Sequence, residues 1–333
     1  MGKKYVLVTQ KDIARDSGVS TATVSRIMKK KGEFSEKTIA RVLDSSSRLG
    51  YYANQLVDGL RNGKTRTVGI IGDFHGQCFQ AIHDRLIGRN YLPIVVRQKI
   101  GKDDTDNERA LLHRMIEQRV EGVIILPLRD YAGNEYFDEA IKSRMPIVAI
   151  DRKLPAEIDF VGTDNYAAGE LAAKQFLRLG RRRLLHYQGP QYTLSARLRR
   201  QGFCETVAHS GTAAVEVFGD ETAYMPDPSL LRDFLRNHPG IDAIFTFNDS
   251  YAADVYNVIR SLGLGIPGDV AVIGVGDQGF GEYLTPSLTT VDQCQARIGD
   301  AAIGLLFERI EEKWTGPKDI IIAPEIKLRV SAS

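Results

Sequence analysis

The chain has 333 residues, 43% of them hydrophobic and 26% charged, which is long for one domain and enough to bury large cores. Its net charge of +2 hides an asymmetry: residues 1–66 hold fourteen Lys and Arg against six Asp and Glu, and the remainder holds thirty against thirty-six. A basic head on an acidic body directs a polyanionic partner to the N-terminal region. Cys78, Cys204 and Cys294 are far apart and form no C-x-x-C pair, which speaks for buried thiols in a reducing cytoplasm and against a disulfide scaffold. No stretch approaches the ~20 apolar residues that span a bilayer, and no N-terminal apolar run resembles a signal peptide, so a cytoplasmic chain with no membrane partner is expected.

In chain order, Thr9 followed by Asp12 reads as an N-cap pair opening a short helix whose apolar stripe contains Ile13 and Ala14. Ser17-Gly18-Val19 is a tight turn, with Gly18 free to take the positive φ that an abrupt reversal needs. Ser20 caps a second helix whose Val24, Ile27 and Met28 face inward, leaving Thr21, Ala22, Ser25, Arg26 and Lys29 outside. A small, polar and basic outer face on the second helix of such a pair suits the DNA major groove. An ordinary amphipathic hairpin with a solvated face has the same pattern, and the helix pair alone does not separate the two. A third helix spans 35–49, with Ile39, Val42, Leu43 and Leu49 inward and Gly50 as its stop. A short helix-like segment, 54–60, and a polar linker to Arg66 follow.

From Thr67 the pattern becomes short apolar strands alternating with amphipathic stretches. Strands are expected at 68–71, 92–96, 123–126, 147–150 and 160–162, then at 184–187, 215–217, 243–247, 270–273 and, last, 320–322. Helices intervene at 106–119, 135–142, 167–179, 196–209, 227–237, 250–262 and 295–313. Alternation of this kind means a parallel sheet covered on both faces, and two rounds of it mean two doubly wound lobes.

These residues carry a family resemblance. V-T-Q-K-D-I-A (8–14), G-V-S-T-A-T-V-S-R (18–26) and G-Y-x-x-N (50–54) resemble the LacI/GalR family of bacterial transcriptional regulators. The likeness continues through V-G-T-D-N-Y-A-A-G (161–169), S-A-R-L-R-R-Q-G-F (195–203), F-N-D-S-Y-A-A (247–253), G-I-P-G-D-V-A-V-I-G (265–274) and T-P-S-L-T-T-V (285–291). The resemblance implies an α/β fold: a helix-turn-helix head at 1–53, a hinge helix and linker at 54–66, and a two-lobed periplasmic-binding-protein-like core at 67–333. It also implies three crossings between lobes, giving an N-lobe of about 67–162 plus 293–323 and a C-lobe of about 163–292 plus 324–333. The implied activity is sequence-specific DNA binding, expected to repress, on a palindromic operator as a homodimer. DNA contacts are expected from Thr9, Ser20, Thr21, Ala22, Thr23, Ser25, Arg26 and Lys29, with Asn54 and Leu60 contributing from the hinge. Nothing near Ser333 resembles the leucine-rich tail of tetrameric members, hence the expected dimer.

An inter-lobe cleft should take a small effector at the carboxyl ends of strands. Asp73, Phe79, Arg152, Arg199, Asn248, Asp249 and Asp277 all fall in such loops or helix starts. Arg199 matches the family arginine of the R-x-x-G-F motif that binds effector, and Asn248 and Asp249 match family positions that touch polar ligands. Each could equally serve as a cap or a salt-bridge partner, Asp249 above all. The family usually has an aspartate where Gly276 stands. With Arg152, Arg197 and Arg199 nearby, that departure points towards a sugar acid or sugar phosphate as well as a plain sugar. Ala53 and Val57 also depart from the family's hinge pattern.

Other chemistry finds less support. Gly274 to Gly279 spells G-x-G-x-x-G after a strand, but Gly281 and Pro286 deny it the helix that a dinucleotide needs, so a cleft-lining loop is the better reading. The histidines lack metal-ligand spacing, and neither a nucleophile–base pair nor a carboxylate dyad is evident. No metal, cofactor or catalytic residue is therefore expected. The competing readings are a cytoplasmic sugar-binding receptor with an unrelated head and, less favoured, a nucleotide-dependent enzyme.

Overall fold

A computed structural model describes residues 8–51, 64–74, 76–98, 104–128, 137–154, 157–222, 227–312 and 316–333. The chain divides into two compact units, Met1–Thr65 and Arg66–Ser333.

The first unit is three helices: α1 (Gln10–Ser17), α2 (Thr21–Met28) and α3 (Glu36–Leu49). Each begins at a polar cap. The Thr9 N–H and hydroxyl both donate to Asp12 Oδ2, and the Thr23 and Thr38 N–H groups donate to Ser20 Oγ and Ser35 Oγ. Such caps are worth ~1 kcal/mol each. Gly18 (φ 64°) and Gly50 (φ 68°) end α1 and α3 in the left-handed conformation. Ile13, Ala14, Val24, Ile27 and Val42 form the buried core, with Met28, Ile39 and Leu49 partly buried against it. Leu43, expected inward, is 50% exposed. The buried line of α3 runs through Val42 and Ser45, and the next residue in a 3.6-residue helix is turned about 100° away.

The second unit holds two six-stranded sheets. In the first, β1 (Thr67–Ile71), β2 (Leu92–Val96), β3 (Val123–Ile125), β4 (Ile147–Ile150), β5 (Asp159–Thr163) and β11 (Asp319–Ile322) lie in the order β11-β5-β4-β3-β1-β2, all parallel. In the second, β6 (Arg183–Tyr187), β7 (Ala214–Phe218), β8 (Ala243–Thr246), β9 (Ala271–Val275), β10 (Thr289–Asp292) and β12 (Glu325–Lys327) lie in the order β12-β10-β9-β8-β6-β7. Strands β3, β4, β8 and β9 are buried along their whole length, as continuous apolar runs in doubly covered sheets must be.

Helices α4 (Gly76–Gly88) and α11 (Gln295–Ile310) cover one face of the first sheet through Ile82, Leu86, Ile298 and Leu306. The other face carries α5 (Asp104–Glu117) and α6 (Phe137–Lys142) through Leu112, Met115 and Phe137. On the second sheet, α7 (Asn165–Arg178) and α8 (Leu194–Ser210) take one face, and α9 (Pro228–Asn237) and α10 (Asp249–Ser261) the other. Gly169 and Gly202 let α7 and α8 approach closely; a Cβ on either would collide with the backbone of the other helix. The strand at 320–322 is not the last: β12 follows and pairs antiparallel with β10, an exception to the parallel rule. Three residues are too few to show a period. Helix α11 stops at Ile310, short of the expected 313.

The chain passes between the sheets after Thr163, after Asp292 and between Ile322 and Glu325. The three passages are tied together. Thr163 Oγ1 donates to the Gln293 carbonyl (3.0 Å), and the Asp164 N–H donates to the Ile322 carbonyl (3.0 Å). Among the described residues no helix is long and apolar enough to cross a membrane.

One ion pair is fully internal. Arg309 on α11 donates from Nε to Asp159 Oδ2 (2.6 Å) and from Nη2 to Asp159 Oδ1 (2.7 Å), with both side chains only 2% exposed. The Lys318 N–H also donates to Asp159, and Arg309 Nη2 also donates to the Gly316 carbonyl. The pair therefore joins α11 and the lead into β11 to β5. Asp159→Ala should lower unfolding free energy by ~3–5 kcal/mol, because an uncompensated guanidinium is left buried. The double variant Asp159→Leu/Arg309→Met should recover most of that loss. Urea denaturation of the three proteins checks both statements, and a double variant no better than the single one would contradict them.

Candidate functional site

The first unit presents α2 outward by its N-terminal half. Thr21, Ala22 and Arg26 are exposed, and Thr23, Ser25 and Lys29 are half-buried. Ser20 and Thr23 serve the helix end: their hydroxyls lie 2.9 Å apart, and Ser20 Oγ accepts the Thr23 N–H (3.1 Å). Thr9 is likewise engaged with Asp12. The Arg26 guanidinium lies over the Phe34 ring, 5.6 Å from its centroid. Asn54 and Leu60 lie outside the described residues.

In the second unit a cavity of about 730 Å³ opens between the two lobes, walled by the carboxyl ends of strands from both sheets and the starts of α4, α8 and α11. Five of the seven expected ligand residues line it: Asp73, Arg152, Arg199, Asn248 and Asp277. Phe79 does not; it packs against the apolar core beneath α4. Asp249 does not either.

Arg199 is the most enclosed of the five, 4% exposed. Its Nε donates to Asn165 Oδ1 (2.8 Å), its Nη1 donates to the Phe247 carbonyl (2.7 Å), and its guanidinium lies 5.1 Å from the Phe247 ring centroid. Arg152 Nη1 donates to the carbonyls of Pro127 (2.5 Å) and Leu128 (2.9 Å), fixing the loop after β3. Asp73 accepts from Arg97 Nη2 (2.5 Å). Asn248 caps α10, its Oδ1 accepting the Tyr251 N–H (3.0 Å). Arg197, whose Nη1 donates to the Gln191 carbonyl, is not among the lining residues.

Asp249 acts from behind the wall. Fully buried, it accepts from Thr290 Oγ1 (2.6 Å) and from the Gln278 N–H (2.7 Å), so it holds the loop that follows β9 against β10. Gly274 is required beside it, since a Cβ there would strike the carboxylate. Burial pushes the Asp249 carboxyl up to about 6, against the two hydrogen bonds that favour its charge.

Asp277 (φ 50°) and Asp151 (φ 66°), both lining the cavity, hold left-handed backbone that non-glycine residues adopt at a cost, a feature that clusters at ligand sites. Although burial opposes it, Lys327 and Arg329 hold the Asp277 carboxyl below the ordinary carboxylate range. The G-x-G-x-x-G stretch leads from β9 into a 3-10 turn (Gly279–Tyr283) and not into an α-helix, so it offers no helix N-terminus to a pyrophosphate.

Sequence reasoning missed Asp151, Phe247, Gln278, Asp292 and Gln293, all of which line the cavity. Strand ends were the available signal: Asp151 ends the run I-V-A-I-D, and Asp292-Gln293 end T-T-V-D-Q. Gly276 brings no carboxylate to the wall, which nevertheless carries Asp73, Asp151, Asp277, Glu282 and Asp292. Arg97 pairs with Asp73, Lys327 with Asp277 and Asp292, and Arg329 with Asp277 and Glu282, while the lining guanidiniums of Arg152 and Arg199 donate to protein acceptors.

The Asp249 pKa sets a pH dependence. With the folded value raised from 3.8 to about 6, the folded state binds the extra proton, so this group's contribution to stability is lost as pH rises through that window. Asp249→Asn removes the slope. Its stability relative to the parent should therefore improve by ~2–3 kcal/mol between pH 4 and 7, on top of a pH-independent offset from the altered hydrogen bonds. Denaturation curves at several pH values measure this, and parallel profiles would refute it.

Residues 9–54 match the family model described as bacterial regulatory proteins, lacI family, and residues 173–332 match the periplasmic binding protein-like domain. The ribose operon repressor of Halalkalibacterium halodurans is 29% identical over 318 residues, covering 92% of each chain. The lac repressor dimer bound to operator and the anti-inducer ONPF superposes with a TM-score of 0.85 at 22% identity, over 98% of this chain and 99% of that one. The transcriptional regulator CelR in complex with cellobiose superposes with a TM-score of 0.71 at 24% identity, over 97% and 99%. The helix-turn-helix unit, the two-lobed core and these matches agree: the chain belongs to the LacI/GalR family of bacterial transcriptional regulators.

Proposed function

We propose that the protein is a cytoplasmic repressor that binds a palindromic operator as a homodimer and is controlled by a neutral, polyhydroxylated sugar in the inter-lobe cleft. The observation that carries this reading is the presence on one chain of an exposed α2 face and a cavity of about 730 Å³ lined by carboxylates, amides and guanidiniums among apolar residues. Thr21, Ala22 and Arg26 read base edges, while Lys and Arg side chains of the basic head contact phosphates and supply salt-dependent affinity. A twofold dimer presents two reading helices to two half-sites, which is why the operator should be palindromic.

The effector class follows from the wall. Carboxylates, amides and guanidiniums around an aromatic ring offer hydroxyls both acceptors and donors, and because most of the lining carboxylates are already paired with Arg97, Lys327 or Arg329 the wall favours a neutral ligand. The relative named as a ribose operon repressor and the solved complex with cellobiose support a sugar. A ligand gripped by both lobes shifts their arrangement by its differential affinity for the two states, and effector and operator then change each other's affinity by the same factor.

Selection of bound duplexes from a random library by the full-length protein tests the DNA reading; the expected outcome is one enriched palindrome, and failure to enrich any sequence would refute it. Arg26→Ala should cost ~1–3 kcal/mol on that palindrome and much less on random duplex, because a bidentate Arg–guanine contact carries discrimination. Equal losses on both would make Arg26 a phosphate contact.

The effector reading is tested by measuring operator affinity at one salt concentration with and without each member of a sugar panel. Arg199→Ala should weaken the active sugar by ~1.5–3 kcal/mol while operator binding in its absence persists. An undiminished response would remove Arg199 from the site.

A further inference from the structure

Three carboxylates of the cavity wall, Asp277, Glu282 and Asp292, are paired with cations that do not themselves line it. Lys327, at the end of β12, reaches two carboxylates at once: Asp277 Oδ2 at 2.5 Å and Asp292 Oδ2 at 2.8 Å. Asp277 follows β9 and Asp292 ends β10, and both line the cavity. Arg329 completes the cluster, donating from Nη2 to Asp277 Oδ1 (2.7 Å) and Glu282 Oε1 (2.9 Å), and from Nη1 to the Leu288 carbonyl (3.0 Å). The carboxylates are nearly enclosed, 11% and 13% exposed, whereas the Lys327 side chain is 41% exposed.

We propose that Lys327 is a specificity-determining residue that sets the charge class of the molecule the cleft accepts. This rests on the reading of the cleft as a small-molecule site. The Lys327 ammonium, which does not itself line the cavity, lies between two acceptor-only groups of the wall that are shielded from solvent and so weakly screened. By occupying that position it leaves Asp277 and Asp292 able to accept hydroxyl hydrogen bonds but without net attraction for a cation. Backbone order explains how the charge arrives there. Lys327 belongs to the strand that follows the third passage between lobes, and Asp292 to the strand that precedes the second. The antiparallel pairing of β12 with β10 places the two residues within two register steps of one another. Removing the ammonium leaves two like charges facing one gap, and a ligand that carries its own ammonium then restores the balance.

The experiment uses the full-length protein and two matched probe sets: the neutral sugars D-ribose, D-glucose, D-galactose and cellobiose, and the amino sugars D-glucosamine and D-galactosamine. Isothermal titration gives affinities for the parent, Lys327→Met and Lys327→Arg. In Lys327→Met the preference for amino over neutral sugar should rise by about tenfold or more, the size of one charge-assisted contact, while Lys327→Arg keeps the parent's preference. A smaller rise in Lys327→Met, or the same rise in Lys327→Arg, overturns the proposal.

Asp292→Asn supplies a second measurement that does not depend on the Met variant folding. It removes one negative charge beside the Lys327 ammonium, so its affinity for D-glucose 6-phosphate relative to D-glucose should rise, and an unchanged ratio overturns the proposal. A parent protein that binds none of the probes refutes the cleft reading itself, and this proposal with it, before any variant is made.

Discussion

Parallel pairing is the constraint from which the second unit follows. Eleven of the twelve described strands run in one direction within their sheet, so their carboxyl ends collect along one edge of each sheet, and those two edges meet at the cavity. Loops at that edge are released from ladder hydrogen bonding and are free to present side chains. The price of the arrangement is that helices must return the chain after each strand, and the buried runs of β3, β4, β8 and β9 reflect cover on both faces.

The three passages between lobes turn two sheets into one device. They lie together, joined by the Thr163–Gln293 and Asp164–Ile322 hydrogen bonds, so a displacement of one passage is felt by the others. The two lobes differ in how their ends are secured. The first relies on the enclosed Asp159–Arg309 pair, a strong local link because breaking it strands a charge. The second straps its last residues inward: Ser331 Oγ donates to the Val272 carbonyl and accepts the Thr289 N–H, and Gln175 Nε2 donates to the Ala332 carbonyl.

Around the cavity, polar and charged residues are for the most part spoken for by the protein. Arg152 holds a loop, Asn248 caps a helix, Asp249 supports the turn after β9, and Asp277 and Asp292 share Lys327. A preorganised wall of this kind can meet hydroxyl groups without rearranging, which lowers the entropic cost of binding. The same commitments explain why residue type alone is a poor guide to contact. Asp249 and Phe79 carry suitable chemistry, yet one supports the wall from behind and the other fills a core.

Much of this was legible in the sequence by itself. Local rules determined the caps at Thr9 and Ser20 and the glycine stops at Gly18 and Gly50, because each depends on a few adjacent residues. Apolar periodicity determined the alternation of strands and helices, and family motifs carried the head and much of the core. Only the tertiary structure decided the rest. Leu43 sits one step off a helical stripe, β12 is too short to show a period, and Lys327 meets Asp277 and Asp292 from fifty and thirty-five positions away. Charge balance in the cleft is a sum over such distant partners, so a motif that lacks its usual carboxylate at Gly276 can still belong to a wall rich in carboxylates whose charge is set by cations from elsewhere in the chain. Proximity in space, and not spacing along the chain, governs Coulomb interaction and desolvation.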